Sequence, residues 1–165
     1  MRYQTEQWLP VDVGRAFAFF CDPQNLPRLT PPFMQPRVER LDLEPPRERP
    51  QAAMAGRGSE IEISFRAPFL WRMRWLARIT YFDWERAFAD EMVYGPFRRW
   101  YHRHEFMPGI VRGHRGTTVR DIVDFDVLGP LNFTALPQMA ALFAYRHRAA
   151  RRLLVRGTDS IHAVG

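Results

Sequence analysis

Residues 98–127 read RRWYHRHEFMPGIVRGHRGTTVRDIVDFDV. Two stretches of alternating character flank a middle rich in glycine, and that alternation is the mark of paired strands with one buried face. In residues 98–107 the even positions are Trp100, His102, His104 and Phe106, and the odd ones are Arg99, Tyr101, Arg103 and Glu105. The even set is expected to face inward. In residues 117–127 the more apolar set is Val119, Asp121, Val123 and Phe125, with Arg120, Asp124 and Asp126 opposite, so Asp121 is expected as an inward carboxylate. A simple hairpin loop over 109–116 pairs Pro108 with Thr117, Phe106 with Val119 and His104 with Asp121. Directly opposed residues share a face, which makes His104 and Asp121 neighbours. The tight turn at Gly95 and Pro96 brings Asp90 toward His102 in the same way.

The same period of two extends upstream, through residues 37–43, 59–66, 72–82 and 87–94, with short turns at Pro68, Asp83, Gly95 and Gly109 that make neighbours antiparallel. Residues 3–9 form an earlier strand, stopped by Pro10. Asp12 then caps a helix carrying Val13, Ala16, Phe17 and Phe20 on one face, and Asp22–Pro23 opens a second short helical turn that ends at Thr30, Pro31 and Pro32. Residues 44–58 (EPPRERPQAAMAGRG) hold three prolines and two glycines and are expected as a flexible connection. Residues 136–154 close the chain as a long helix, with Leu136, Ala140, Phe143, Ala150 and Leu154 toward the sheet and a tail over 157–165. A lone amphipathic helix must bury its stripe, and the inner face of the sheet is the apolar surface on offer. The expected architecture is α+β: a curved antiparallel sheet of about seven strands around one C-terminal helix, with two short helices after the first strand and space between helix and sheet for a ligand.

Composition sets the frame. The 165 residues are 46% hydrophobic and 14% aromatic, enough for one domain spanning 1–165 with a sizeable core. No apolar run spans a bilayer and the N-terminal residues lack the apolar centre of a signal peptide, so a cytoplasmic location is expected. Cys21 has no partner for an internal disulfide and reads as a buried helix residue. The net charge is +6 and all 24 basic residues are arginine, but they stand singly between apolar positions, so no nucleic-acid partner is expected. Arg146, Arg148, Arg151 and Arg152 are assigned to the solvated face of the last helix.

The wall of the expected pocket comprises Trp71, Met73, Trp75, Asp90, Tyr94, Trp100, His102, His104, Phe106, Asp121 and Phe143. A histidine beside a carboxylate in an apolar cavity suits recognition of a polar handle, and it also suits acid–base chemistry with His104, Asp121 and His102 as the catalytic candidates. It equally satisfies buried polar atoms. His-x-His with two carboxylates has metal-ligand spacing, but a third ligand is not secured by the sequence, so no metal and no cofactor is expected.

The segment WLPVDVGRAFAFFCDPQNLPRLTPPF resembles the opening of the START-like, Bet v 1-like superfamily called SRPBCC. The block FADEMVYGPFRRWYHRHEF with GTTVRDIVDFDVLGP is similar to its bacterial cyclase/dehydrase-like ligand-binding branch. The matching residues are Gly95, Pro96 and Phe97, then Trp100, His102, His104 and Phe106, then Gly116, Thr117 and Asp121. The resemblance implies the helix-grip fold and a hydrophobic pocket between sheet and helix. It implies binding or carriage of a small lipid-like, aromatic or polyketide-like molecule, or alternatively a cyclase/dehydratase- or hydrolase-type enzyme using the histidine–aspartate pair.

Overall fold

The computed structural model describes residues 1–47, 53–66, 71–127 and 132–156. Strand β1 (Arg2–Leu9) leads into helices α1 (Val13–Cys21) and α2 (Leu26–Leu29). Strands β2 (Arg37–Asp42), β3 (Glu60–Arg66), β4 (Arg72–Asp83), β5 (Ala87–Tyr94), β6 (Arg99–Val111) and β7 (His114–Asp126) follow, and α3 (Asn132–Arg156) closes the chain. The strands form a single seven-stranded antiparallel sheet in the order β1-β7-β6-β5-β4-β3-β2. The first two strands therefore lie on opposite edges, and α1 and α2 carry the chain across. Asp12 caps α1 by accepting the Arg15 backbone N–H at 2.8 Å, and Asp22 accepts that of Gln24 at 2.9 Å. No helix among the described residues is long and apolar enough to cross a membrane.

The β6–β7 ladder has the register expected from the sequence, with Pro108 opposite Thr117, Phe106 opposite Val119 and His104 opposite Asp121. The glycine-bearing middle is nevertheless strand, not an eight-residue loop. Both strands run on to Val111 and His114 and close through Arg112 and Gly113, with φ of 49° and 79°. Two successive left-handed residues match the twist of the strands, and Gly113 adopts that conformation without steric cost. Just past that turn, a Cβ added to Gly116 would stand 2.4 Å from the Leu9 carbonyl oxygen and 2.7 Å from the Trp8 ring. Gly116→Ala is expected to lower stability by about 1–3 kcal/mol, as overpacking against backbone does, read as a loss in the denaturation midpoint at unchanged m-value.

Three sequence expectations are corrected. In α3 the stripe that packs inward is Ala135, Met139, Phe143, Ala150 and Leu154, whereas Leu136 and Ala140 are exposed. The difference is confined to the first turns, since Phe143, Ala150 and Leu154 face inward as expected. Arg146, beside this stripe, is half-buried against the sheet and not on the solvated face. In β4 and β5, register shifts after Ile79 and Leu76 reverse the alternation. Tyr81 consequently lies outside under the Arg103 guanidinium, 4.6 Å from its ring centre, and Tyr94 lies outside with its hydroxyl donating to Glu62. Finally, the described ends of the 44–58 connection are anchored. Met54 and Ala55 are buried, the Ala55 N–H donates to the Cys21 carbonyl, and the Gly56 N–H donates to that of Glu44, both at 2.9 Å. Residues 48–52, the turn at Pro68, Pro130 and the 157–165 tail lie outside the described residues.

The core divides along β6. Around Phe106, Phe17 packs against Phe82, Phe88 and Phe106 with ring centres 5.1 to 6.1 Å apart, joined by Leu9, Val119 and Leu154. Around Trp100 a second cluster gathers Val123, Phe125, Ala135, Met139 and Phe143. His102 and His104 lie between the two.

Candidate functional site

A polar band thus crosses the concave face of the sheet where apolar side chains flank it on both sides. His102 and His104 alternate on β6 and point inward together; each is under 5% exposed. The neighbouring strands bring carboxylates to them, Asp121 of β7 opposite His104 and Asp90 of β5 opposite His102. From the other side, α3 contributes His147, one turn beyond Phe143, and Arg146.

Asp121 is the hub. His102 Nε2 lies 3.0 Å from its Oδ1, His104 Nδ1 lies 2.7 Å from the same oxygen, and His147 Nε2 lies 3.4 Å from Oδ2. The His104 contact is an ion-pair approach whose angle is not that of a hydrogen bond. Burial works to raise the Asp121 pKa, but His104, His102 and His147 together hold it well below the usual carboxylate range. Burial and the neighbouring His104 push His102 down to about 3 against the pull of Asp121, so its ring is neutral at pH 7. Its one proton then sits on Nε2, donated to Asp121, and Nδ1 presents a lone pair. That lone pair faces Asp90 Oδ2 at 3.6 Å. Burial pushes the Asp90 carboxyl up to about 6, with His104 and Arg146 pulling the other way. The Arg146 guanidinium, 5.3 Å above the Phe143 ring, answers both carboxylates, and burial lowers its pKa against their attraction.

Aromatic rings enclose the band. Phe88 lies 4.5 Å from the His104 ring, Phe143 stands edge-on to His102 at 5.5 Å, and Trp75 and Trp100 meet at 4.8 Å. The indole N–H of Trp75 is buried without a hydrogen-bond partner, and that of Trp100 is turned toward the Asp90 carboxyl. Met73 is half-buried on the Trp75 side of β4, opposite Phe65. Of the residues assigned to the wall from sequence, Trp75, Asp90, Trp100, His102, His104, Phe106, Asp121 and Phe143 converge on this face. Two do not: Trp71 is 80% exposed before β4, and Tyr94 is turned outward by the bulge in β5. Sequence reasoning passes over Arg146 and His147 on chemistry, not spacing: Arg146 reads as a surface charge, and His147 falls on the expected stripe between Phe143 and Ala150 but is polar. Spacing from Met139 through Phe143 to His147 carries the signal.

The arrangement can hold a polar group of a bound molecule, orient a histidine for proton transfer, or bind a cation between Asp90 and the two histidines. Two surface concavities lie away from this band. One of about 390 Å³ lies where β1 ends against the β6–β7 hairpin, beside Pro10, Pro108 and Ile110.

The sequence matches no protein-family model and no curated protein. Solved structures do match over nearly the whole chain. Protein CV1439 from Chromobacterium violaceum superposes with a TM-score of 0.69 at 11% identity, covering 93% of this chain and 96% of its own. Protein NE0264 from Nitrosomonas europaea gives 0.68 at 12% identity, with 96% and 97% covered. Ara h 8.0201 gives 0.64 at 13% identity, with 94% and 98% covered. At such identities the likeness is one of fold, and with a seven-stranded antiparallel sheet, short helices after β1 and a long C-terminal helix, that fold is the Bet v 1-like helix grip.

Proposed function

We propose that this chain is a cytoplasmic binding protein for a small, largely apolar molecule with at least one polar group, seated between the sheet and α3. The observation that carries this reading is the polar band of His102, His104 and Asp121 set into an otherwise aromatic concave face. Burying ionisable groups in a core is costly unless they are used or fully paired. Here the indole donor of Trp75 stays unpaired beside them. α3 packs mainly on β1 and α2, which leaves Trp75, Met92 and Phe97 half-buried on the β4–β5 side, a fitting apolar entrance.

Titration with 8-anilinonaphthalene-1-sulfonate tests the reading, followed by probe emission and by quenching of tryptophan. One saturable site is expected, and Trp75→Ala is expected to weaken it about tenfold, the equivalent of about 1.4 kcal/mol of lost aromatic contact. Trp71→Ala, at an exposed position, should leave affinity unchanged. Non-saturable binding, or equal losses in the two variants, would place the probe on the outer surface and end the proposal.

A second reading, a cyclase/dehydratase-like acid–base enzyme, is favoured by the approach of His104 Nδ1 to Asp121 at 2.7 Å. It requires that a bound carbonyl compound be converted by the wild-type protein and recovered unchanged from His104→Asn. Unchanged compound from both, observed by mass spectrometry, counts against it.

A further inference from the structure

We propose that Asp90, His102 and His104 form a binding site for one divalent first-row transition-metal ion of the zinc class. One potential ligand atom from each residue lies within 4.8 Å of the others. Their positions are set by the sheet: the histidines are alternate residues of β6, and Asp90 is the direct cross-strand partner of His102 on β5. A zinc ion at about 2.0–2.1 Å from its ligands holds them about 3.4 Å apart in a tetrahedral arrangement. His102 Nδ1 and Asp90 Oδ2, at 3.6 Å, are already at that spacing, and rotation of the His104 ring closes the remainder.

Two further observations point to a cation. His102 Nε2 donates to Asp121 at 3.0 Å, which fixes the tautomer and turns the Nδ1 lone pair toward Asp90, as outer carboxylates do for metal-bound histidines. Two acceptors then face each other in a buried place, an arrangement that repels unless positive charge lies between them. Imidazole and carboxylate donors without thiolate suit zinc, cobalt or iron, not copper(I) and not the all-oxygen shell of calcium. Three protein ligands leave a fourth position open, facing α3, for water or the polar end of a bound molecule.

The test uses the metal alone, so its failure leaves the probe-binding result untouched. Full-length protein is stripped with a chelator, dialysed and titrated with cobalt(II), and zinc affinity is measured by competition with a chromophoric chelator. The expected result is one equivalent per chain, with the visible ligand-field absorption of low-coordinate cobalt. Asp90→Asn and His104→Gln are each expected to weaken zinc binding at least about tenfold, while His114→Gln at the hairpin tip changes nothing. Each variant is checked by far-UV circular dichroism. Where one does not fold, the wild-type cobalt spectrum decides, because a six-coordinate, water-like spectrum or no stoichiometric uptake overturns the site. Binding that survives both ligand substitutions overturns it equally, as an adventitious ion on surface histidines.

Discussion

Replacing Asp121 with alanine is expected to lower the midpoint of thermal unfolding by roughly 10 °C. The carboxylate is 3% exposed, is hydrogen-bonded to His102 and His147, and lies 2.7 Å from His104 Nδ1. Its removal leaves the His102 Nε2–H without an acceptor and the Arg146 charge with Asp90 alone. Removing one partner from a buried ionic network costs about 3–5 kcal/mol, and about 2–4 °C is lost per kcal/mol in a domain of this size. Asparagine keeps one acceptor oxygen and a similar shape, so Asp121→Asn should fall between wild type and alanine. The pH dependence has a definite sign. The folded-state pKa of Asp121 is depressed, so its contribution is complete above the unfolded value of about 3.9 and is lost as pH falls through the folded value. The gap between wild type and Asp121→Ala should therefore stay constant from neutral pH down to about 5 and close in stronger acid. Calorimetry or circular dichroism melts across that range measure it. A gap that widened on acidification would mean that the carboxyl is already protonated in the native protein.

Most of the sheet can be read from the chain because a period of two survives wherever one face is apolar and the other charged. Residues 98–127 show this best: Trp100, His102, His104 and Phe106 all face inward as their alternation requires, and the register opposite Asp121 follows from counting back from a turn. That count holds even though the turn is two residues and not eight, since lengthening both strands equally leaves every pair unchanged. Where the chain inserts one residue, the reading fails. The shifts at Leu76 and Ile79 reverse which side chains face inward, and a bulge has no signature in hydrophobicity, so the sequence puts Tyr94 on the wrong side. The helix failed differently. Leu136 looks like a stripe residue and Arg146 like a surface one, yet the stripe is fixed by what the sheet offers beneath it. Asp90 and Asp121 on β5 and β7 make an inward arginine favourable. A charge buried against a charge from a distant strand is a tertiary fact, invisible to any local window.

That arrangement explains why the concave face has two apolar clusters instead of one. Along β6 the order Trp100, His102, His104, Phe106 places polar side chains in the middle of the strand, so the cluster around Phe17 and the cluster around Phe143 meet only through imidazole rings. A protein selected for stability alone would fill those positions with aliphatic side chains, since a packed hydrophobic replacement of a buried ionic group is often neutral or stabilising. Retaining His102 and His104 there instead, with Asp90 and Asp121 on the neighbouring strands, fits the proposed role in holding the polar group of a bound molecule.

Phe143→Ala is expected to be the most informative substitution in α3, costing stability while strengthening probe binding. The ring is 1% exposed and touches Tyr3 at 5.3 Å and His102 at 5.5 Å, beneath the Arg146 guanidinium. Deleting a buried phenyl ring costs about 3–5 kcal/mol through lost contacts and the space left behind. The space in this case borders His102 and His147, so water enters it and the loss should fall at the lower end of that range. Phe143→Leu, which keeps most of the volume, should recover the greater part. The same deletion uncovers the polar band from the helix side, so 8-anilinonaphthalene-1-sulfonate should bind at least about fivefold more tightly, since about 1 kcal/mol of added apolar contact suffices. Equilibrium unfolding with and without the probe reads both effects at once. A variant that loses stability without gaining affinity would show Phe143 to be core alone, with the bound molecule seated on the Trp75 side. A variant that loses less than about 1 kcal/mol would show that the helix does not rest on the histidines through this ring.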